Sequence, residues 1–191
     1  MLEIEAKLKV DSLDSIRERL ASRGASFVYR VLEENHIFDT ADGSLRSAGR
    51  GLRVRRCRTL AGESPADTMT FKGPRQPGPF KRREEINLRV DCGESACALL
   101  DGLGCVEIMR FEKRRETWEL AGCEVALDEV PHLGFFVEIE GQDAESVRRV
   151  QRELGLQDAG HIPDSYISLL YEYCRGHGLD VRTIIFQSEQ C

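Results

Sequence analysis

A chain of 191 residues with 41% hydrophobic and 31% charged side chains suits one well-packed domain and offers nothing close to the roughly 20 consecutive apolar residues of a bilayer-spanning helix. The net charge of −6 disfavours general nucleic-acid binding, although residues 46–58, RSAGRGLRVRRCR, carry six arginines and keep a local anion site open. The seven cysteines, odd in number and without a CxxC pair, speak against a disulfide framework and against a structural zinc site.

The chain opens on LEIEAKLKV, residues 2–10, in which Leu2, Ile4, Ala6, Leu8 and Val10 alternate strictly with Glu3, Glu5, Lys7 and Lys9. That period predicts a β-strand with two unlike faces. No signal peptide precedes the strand, so a cytoplasmic protein is expected. DSLDSIRERLASRG predicts a helix capped by Asp11 or Ser12, with Leu13, Ile16 and Leu20 as its apolar stripe and Gly24 at its end. ASFVYRVLEENHIFDT is extended, ADGS a turn, GLRVRRCR a strand, and TLAGESPADT a hairpin loop leading into MTFKG. The Pro/Gly-rich PRQPGPF then leads into the strand REEINLRV, and residues 94–102 form a short helix.

Four further strands are expected at 105–109, FEKRRETWEL, CEVALDEV and GFFVEIEG, followed by a helix capped by Asp143 with Val147, Val150 and Leu154 on one side. Asp164 is placed as the cap of a last helix, SYISLLYEYC, and residues 176–191 carry no strong pattern. Hairpin-linked strands with a few packing helices define an α+β protein built as a sandwich or a closed barrel.

The charges sort in a way that bears on this choice. Arg53/Arg55, Arg83/Glu85, Lys113/Arg115 and Glu138/Glu140 are pairs at i, i+2 and therefore share a strand face; Lys72 ends MTFKG and Asp128 lies within VALDEV. A single such pair commonly just faces water. As a set they are sorted by sign, acid on the first and a late strand, base between, while Leu52/Val54 and Val137/Ile139 make the opposite faces apolar. A barrel with its apolar side turned outward against helices would enclose these charges. Buried charge needs pairing or an ion, and carboxylates for Mg²⁺ or Mn²⁺ beside Arg/Lys for phosphate oxygens describe a metal–polyphosphate site.

EIEAK fits the ExExK signature of the CYTH domain, the triphosphate tunnel metalloenzyme superfamily, and LRVR, TFKGP, REE, FEKRR, LDEVPHLGFFVEIEG and SYISLL follow in the order of that family's blocks over about residues 1–172. The chain resembles the bacterial class IV adenylyl cyclases most. The resemblance implies an eight-stranded antiparallel β-barrel forming a triphosphate tunnel with flanking helices, spanning residues 1–175 as a single domain, with 176–191 as a C-terminal extension. It implies Glu3, Glu5, Asp128, Glu138 and Glu140 as candidate ligands of Mg²⁺ or Mn²⁺. Lys7, Arg53, Arg55, Lys72, Arg83, Lys113 and Arg115 become the triphosphate clamp, with Lys7, Lys72 and Lys113 also catalytic. Glu85 has the parity to face the tunnel, unless a one-residue slip puts Glu84 there instead.

Three functions fit these residues. A cyclase would convert ATP to cyclic AMP and pyrophosphate, a triphosphatase would hydrolyse inorganic or thiamine triphosphate, and a binding module would hold polyphosphate or nucleotide without turnover. The resemblance is compatible with a homodimer and implies neither membrane nor nucleic-acid partners. Trp118 and the four scattered histidines are expected to serve packing.

Overall fold

The alternation of residues 2–10 places Ala6 and Leu8 against helices and Lys7 in the interior of a barrel. The computed structural model describes residues 2–63, 65–74, 76 and 81–187, with the backbone alone for residues 2, 3, 81 and 82. The strands are β1 (Leu2–Val10), β2 (Ser26–Thr40), β3 (Gly51–Gly62), β4 (Asp67–Lys72), β5 (Lys81–Val90), β6 (Cys105–Leu120), β7 (Cys123–Val130), β8 (Gly134–Gly141) and β9 (Thr183–Ile184). The helices are α1 (Asp14–Ser22), α2 (Ser44–Ser47), α3 (Gly93–Gly102), α4 (Ala144–Glu153) and α5 (Tyr166–His177).

Strand order runs β2-β3-β4-β5-β1-β8-β7-β6, and β6 pairs back onto β2, so eight antiparallel strands complete a ring. This is the expected barrel. β9 joins outside it, parallel to β6 through Arg110↔Thr183 and Phe111↔Ile184. The two strands expected at 105–109 and 111–120 are one 16-residue strand, β6. It is held along its length by the 15-residue β2, with register shifts absorbing the bend. β3 runs on to Gly62, which shortens the expected hairpin loop.

The apolar core lies mostly outside the ring, and the cluster under α5 reaches the inward face through Ile37 and Phe111. Leu8, Val125, Val137 and Ile139 pack against Ile16 and Leu20 of α1 and against Val147, Val150 and Leu154 of α4. A second cluster joins α5, through Tyr166, Leu170 and Cys174, to Ile37, Phe111 and Phe136. A third seats α3 on Val54 and Phe38. Trp118 packs edge-on against Phe27 with ring centroids 5.4 Å apart, as expected of a packing residue.

The caps differ in part from expectation. Asp143 does cap α4, accepting from the Glu145 and Ser146 amides. The α5 cap is Ser165 instead of Asp164, because its hydroxyl reaches the Ser168 amide. At α1 the cap position is Leu13, and the Ser12 hydroxyl accepts from the Asp14 amide. Leu8 is fully buried, so Leu8→Ala is expected to cost about 2–5 kcal/mol in urea unfolding. Asp143→Ala should cost about 1 kcal/mol by the same measurement.

Candidate functional site

The inward faces of the strands meet around a cavity of about 570 Å³. The pairs recognised by parity converge on it: Lys7 and Glu5 from β1, Arg53 and Arg55 from β3, Lys72 from β4, Arg83 and Glu85 from β5, Lys113 and Arg115 from β6, and Glu138 and Glu140 from β8. Glu85 is buried and inward while Glu84 is exposed, which fixes the register of that strand. The side chain of Glu3 lies outside the described residues; its backbone pairs with Arg83.

Asp128 faces inward but does not line the cavity; it is 0% exposed, covered by Lys113, Arg115 and Tyr166. There it accepts from Lys113 Nζ at 3.0 Å, from Arg115 Nε and Nη2 at 2.7 and 2.6 Å, and from the Tyr166 hydroxyl at 2.9 Å. Its oxygens are thus committed to orienting two cations. Arg115 also pairs with Glu138. Burial alone would lower the Arg115 pKa, but Asp128, Glu138 and Glu33 hold it well above its ordinary value. Burial, reinforced by Arg115, lowers that of Lys113. Lys7 Nζ is fixed from three sides: it donates to the Asp164 carbonyl at 3.0 Å, pairs with Glu138 at 3.3 Å and lies 3.8 Å from the Tyr166 ring centre. Tyr166, at the start of α5, is therefore part of the site.

Glu33 was not singled out from sequence. It is 1% exposed and faces Arg55 at 3.1 Å, Lys113 at 3.5 Å and Arg115 at 3.8 Å. Burial would raise its pKa, yet Arg55, Lys113, Arg115 and Arg53 bring it down to about 2. Asn35, two residues on, accepts from Arg55 Nε at 3.1 Å. Arg53 is tied more lightly, to the Thr70 hydroxyl at 3.3 Å, and Thr70 in turn donates to Asn87 at 2.7 Å. Burial, with Arg55 beside it, lowers the Arg53 pKa to about 10. Lys72 pairs with Glu85. Arg56, of the opposite parity, points outward to Glu34 at 3.1 Å.

The two ends of the cavity differ. At one, Glu124 faces Glu140 across β7–β8, and Glu140 faces Glu5 across β8–β1. A row of adjacent carboxylates repels itself and draws in cations, from side chains or as metal. No group of three His, Cys, Asp or Glu side chains is placed to hold a metal among the described residues. The row instead suits a hard divalent cation that keeps several waters and takes one or two carboxylates. At the other end, where β2 closes and β3 begins, Ile37, Ile108, Phe111 and Ile167 add an apolar patch to the lining beside Arg46 and Arg50.

A closed antiparallel tunnel lined by opposed acidic and basic side chains defines a protein built to take up polyanions. The comparisons with known proteins agree. The CYTH domain pattern matches residues 1–166, and the chain belongs to that family, whose members process triphosphates as cyclases or triphosphatases. A protein of Methanocaldococcus jannaschii named "Putative adenylate cyclase" is 30% identical over 140 residues, covering 73% of this chain and 77% of its own. The PH1819 protein of Pyrococcus horikoshii superposes with a TM-score of 0.75 at 27% identity, over 90% of this chain and 99% of its own. A Hippeastrum protein described as a "Putative adenylyl cyclase" with a dominant triphosphatase activity shares the fold at 18% identity and a TM-score of 0.69, over 90% and 95% of the two chains. No helix among the described residues is long and apolar enough to cross a membrane.

The depressed Glu33 carboxyl carries a signed consequence. Its folded pKa of about 2 lies below the ordinary 4.5, so its stabilising contribution is complete above 4.5 and is lost as pH falls toward 2. Urea unfolding at a series of pH values across that window is expected to show a flatter pH dependence for Glu33→Gln than for the parent. Equal slopes would remove Glu33 from the network.

Proposed function

We propose that this protein is a divalent-metal-dependent adenylyl cyclase of the class IV type, converting ATP to cyclic AMP and pyrophosphate. The observation that carries this reading is the asymmetry of the cavity. A ring of Lys and Arg for phosphate oxygens continues into an apolar end formed by Ile37, Ile108, Phe111 and Ile167, which gives an organic group somewhere to go. Inorganic triphosphate would have no use for it. The name of the Methanocaldococcus relative supports the same direction.

In this reading the ribose 3′-oxygen attacks the α-phosphorus, the bond to the bridging oxygen breaks, pyrophosphate leaves, and the 3′-hydroxyl proton passes to solvent. Arg53, Arg55, Arg83 and Arg115 hold phosphate oxygens through their planar donors, while Lys7, Lys72 and Lys113 neutralise the charge that develops on the leaving group. Glu33 and Asp128 keep the cations aimed, so little reorganisation is needed when substrate binds. Glu5 and Glu140, with Glu138 beside them and Glu3 as the further ligand expected from the sequence, would hold Mg²⁺ or Mn²⁺. That ion supplies Lewis-acid polarisation of phosphate oxygens when bound.

A second reading, triphosphatase, uses the same ring with water attacking the terminal phosphorus. It is favoured by the fold shared with the Hippeastrum protein of dominant triphosphatase activity.

The purified protein, incubated with Mg²⁺ or Mn²⁺ and separately with ATP, inorganic triphosphate and thiamine triphosphate, is expected to form cyclic AMP and pyrophosphate from ATP. Orthophosphate without cyclic AMP would replace this reading by the second. Glu5→Gln should lose metal-stimulated turnover and weaken Mn²⁺ binding, followed by the spin-resonance signal of the free ion, with its melting temperature retained. Arg53→Ala should lower kcat roughly 100-fold.

A further inference from the structure

The segment between β2 and β3, residues 40–50, buries none of its α2 side chains, yet it is held in place with unusual care. Asp39, the penultimate residue of β2, is 2% exposed. Its carboxylate accepts from the Thr40 amide at 2.8 Å, the Leu45 amide at 3.0 Å and the Arg46 amide at 3.3 Å. The Thr40 hydroxyl and the Asp42 carboxylate both accept from the Ser44 amide. The far end is closed as firmly. The Arg50 amide donates back to the Leu45 carbonyl at 2.8 Å and Gly49 takes a left-handed φ of 68°, the geometry of a Schellman stop.

A four-residue helix with no fully buried side chain gains little from core burial, so its place is set mainly by this polar scaffolding. It carries Arg46 and Arg50. Both are exposed, and both line the tunnel cavity at its apolar end. Neither guanidinium makes an ion pair or hydrogen bond among the described residues, whereas Arg55, Lys72, Lys113 and Arg115 deeper in each face a carboxylate. The tunnel thus presents two unneutralised arginines on a rigid mount at its mouth.

We propose that Arg46 and Arg50 are an entry clamp for the polyphosphate anion, and that Asp39 is its positioning residue. The inference rests on the reading of the tunnel as a triphosphate site and adds two binding residues to it. Exposed charges at a cleft mouth act chiefly on encounter and capture, so their effect belongs in the association rate and KM and weakens with salt. Asp39 touches no substrate; it acts through the backbone amides of Leu45 and Arg46.

The test is binding of inorganic tripolyphosphate and of ATP by the full chain, with kinetics on whichever substrate is turned over. Arg46→Ala/Arg50→Ala should weaken both ligands about tenfold, raise KM with kcat unchanged, and flatten the dependence of affinity on salt; Arg46→Lys/Arg50→Lys should restore part of the loss. Asp39→Asn, which loses the acceptor for the Arg46 amide, should weaken binding similarly and should add nothing in the arginine-less background. Parent protein that binds both ligands, with the double variant binding them equally well, overturns the clamp. Loss of ATP affinity alone, with tripolyphosphate unaffected, overturns it in favour of contact with the organic group. An additive Asp39→Asn effect removes the positioning role. Parent protein that binds neither ligand overturns the tunnel reading itself, and the clamp with it.

Discussion

Everything in this barrel depends on the pairing of charges buried inside it. Asp128 and Glu33 are 0% and 1% exposed, and around them stand Lys113, Arg115 and Arg55. Desolvating such groups costs several kcal/mol each, and only close, multiply hydrogen-bonded geometry returns it. The bidentate contact of Arg115 on Asp128 and the donation from Tyr166 supply that geometry. Removing one partner would strand the others, so each buried carboxylate constrains two or three cations at once.

This interior inverts the usual arrangement of a small barrel, whose inward side chains fill it and form its core. Here stability is supplied from outside, where Leu8, Val125, Val137 and Ile139 meet α1 and α4, and where Val54 meets α3. The division leaves the inward face available for chemistry. α5 serves both sides, because Tyr166 packs on Phe136 with centroids 5.2 Å apart and also reaches Asp128. Helix docking and cation orientation are thereby coupled through a single side chain.

In the proposed reading the tunnel recognises the phosphate chain by charge, and the same ring of Lys and Arg would serve either nucleophile. A fold shared among proteins with different activities is expected when the common part binds and the variable part presents the reacting oxygen. In this chain the apolar side chains Ile37, Ile108, Phe111 and Ile167 and the arginine-bearing segment between β2 and β3 share one end of the cavity.

Strand alternation is a local property, and so the sequence by itself determined much of the site. Arg53 and Arg55, Lys113 and Arg115, and Glu138 and Glu140 had to share a face with one another, and Leu8 and Val137 had to lie opposite their charged neighbours. The apolar outer faces likewise announced where helices would pack. Tertiary structure decided what alternation leaves ambiguous. On β2 both faces are polar, Glu33 and Asn35 on one and Glu34 and His36 on the other, and only the closure of β2 onto β6 and β3 shows which pair lies inside. Asp128 has the parity of a tunnel residue, yet Tyr166, 38 residues further along the chain, covers it and ties it to the cations. Glu124 became part of the acidic row only through its register with Glu140. Arg46 and Arg50 sit in a turn, where no period applies, and their place at the mouth is set by a buried aspartate seven residues before Arg46. Pattern reads the faces of a strand; which face meets which, and what a loop reaches, are settled only by long-range pairing.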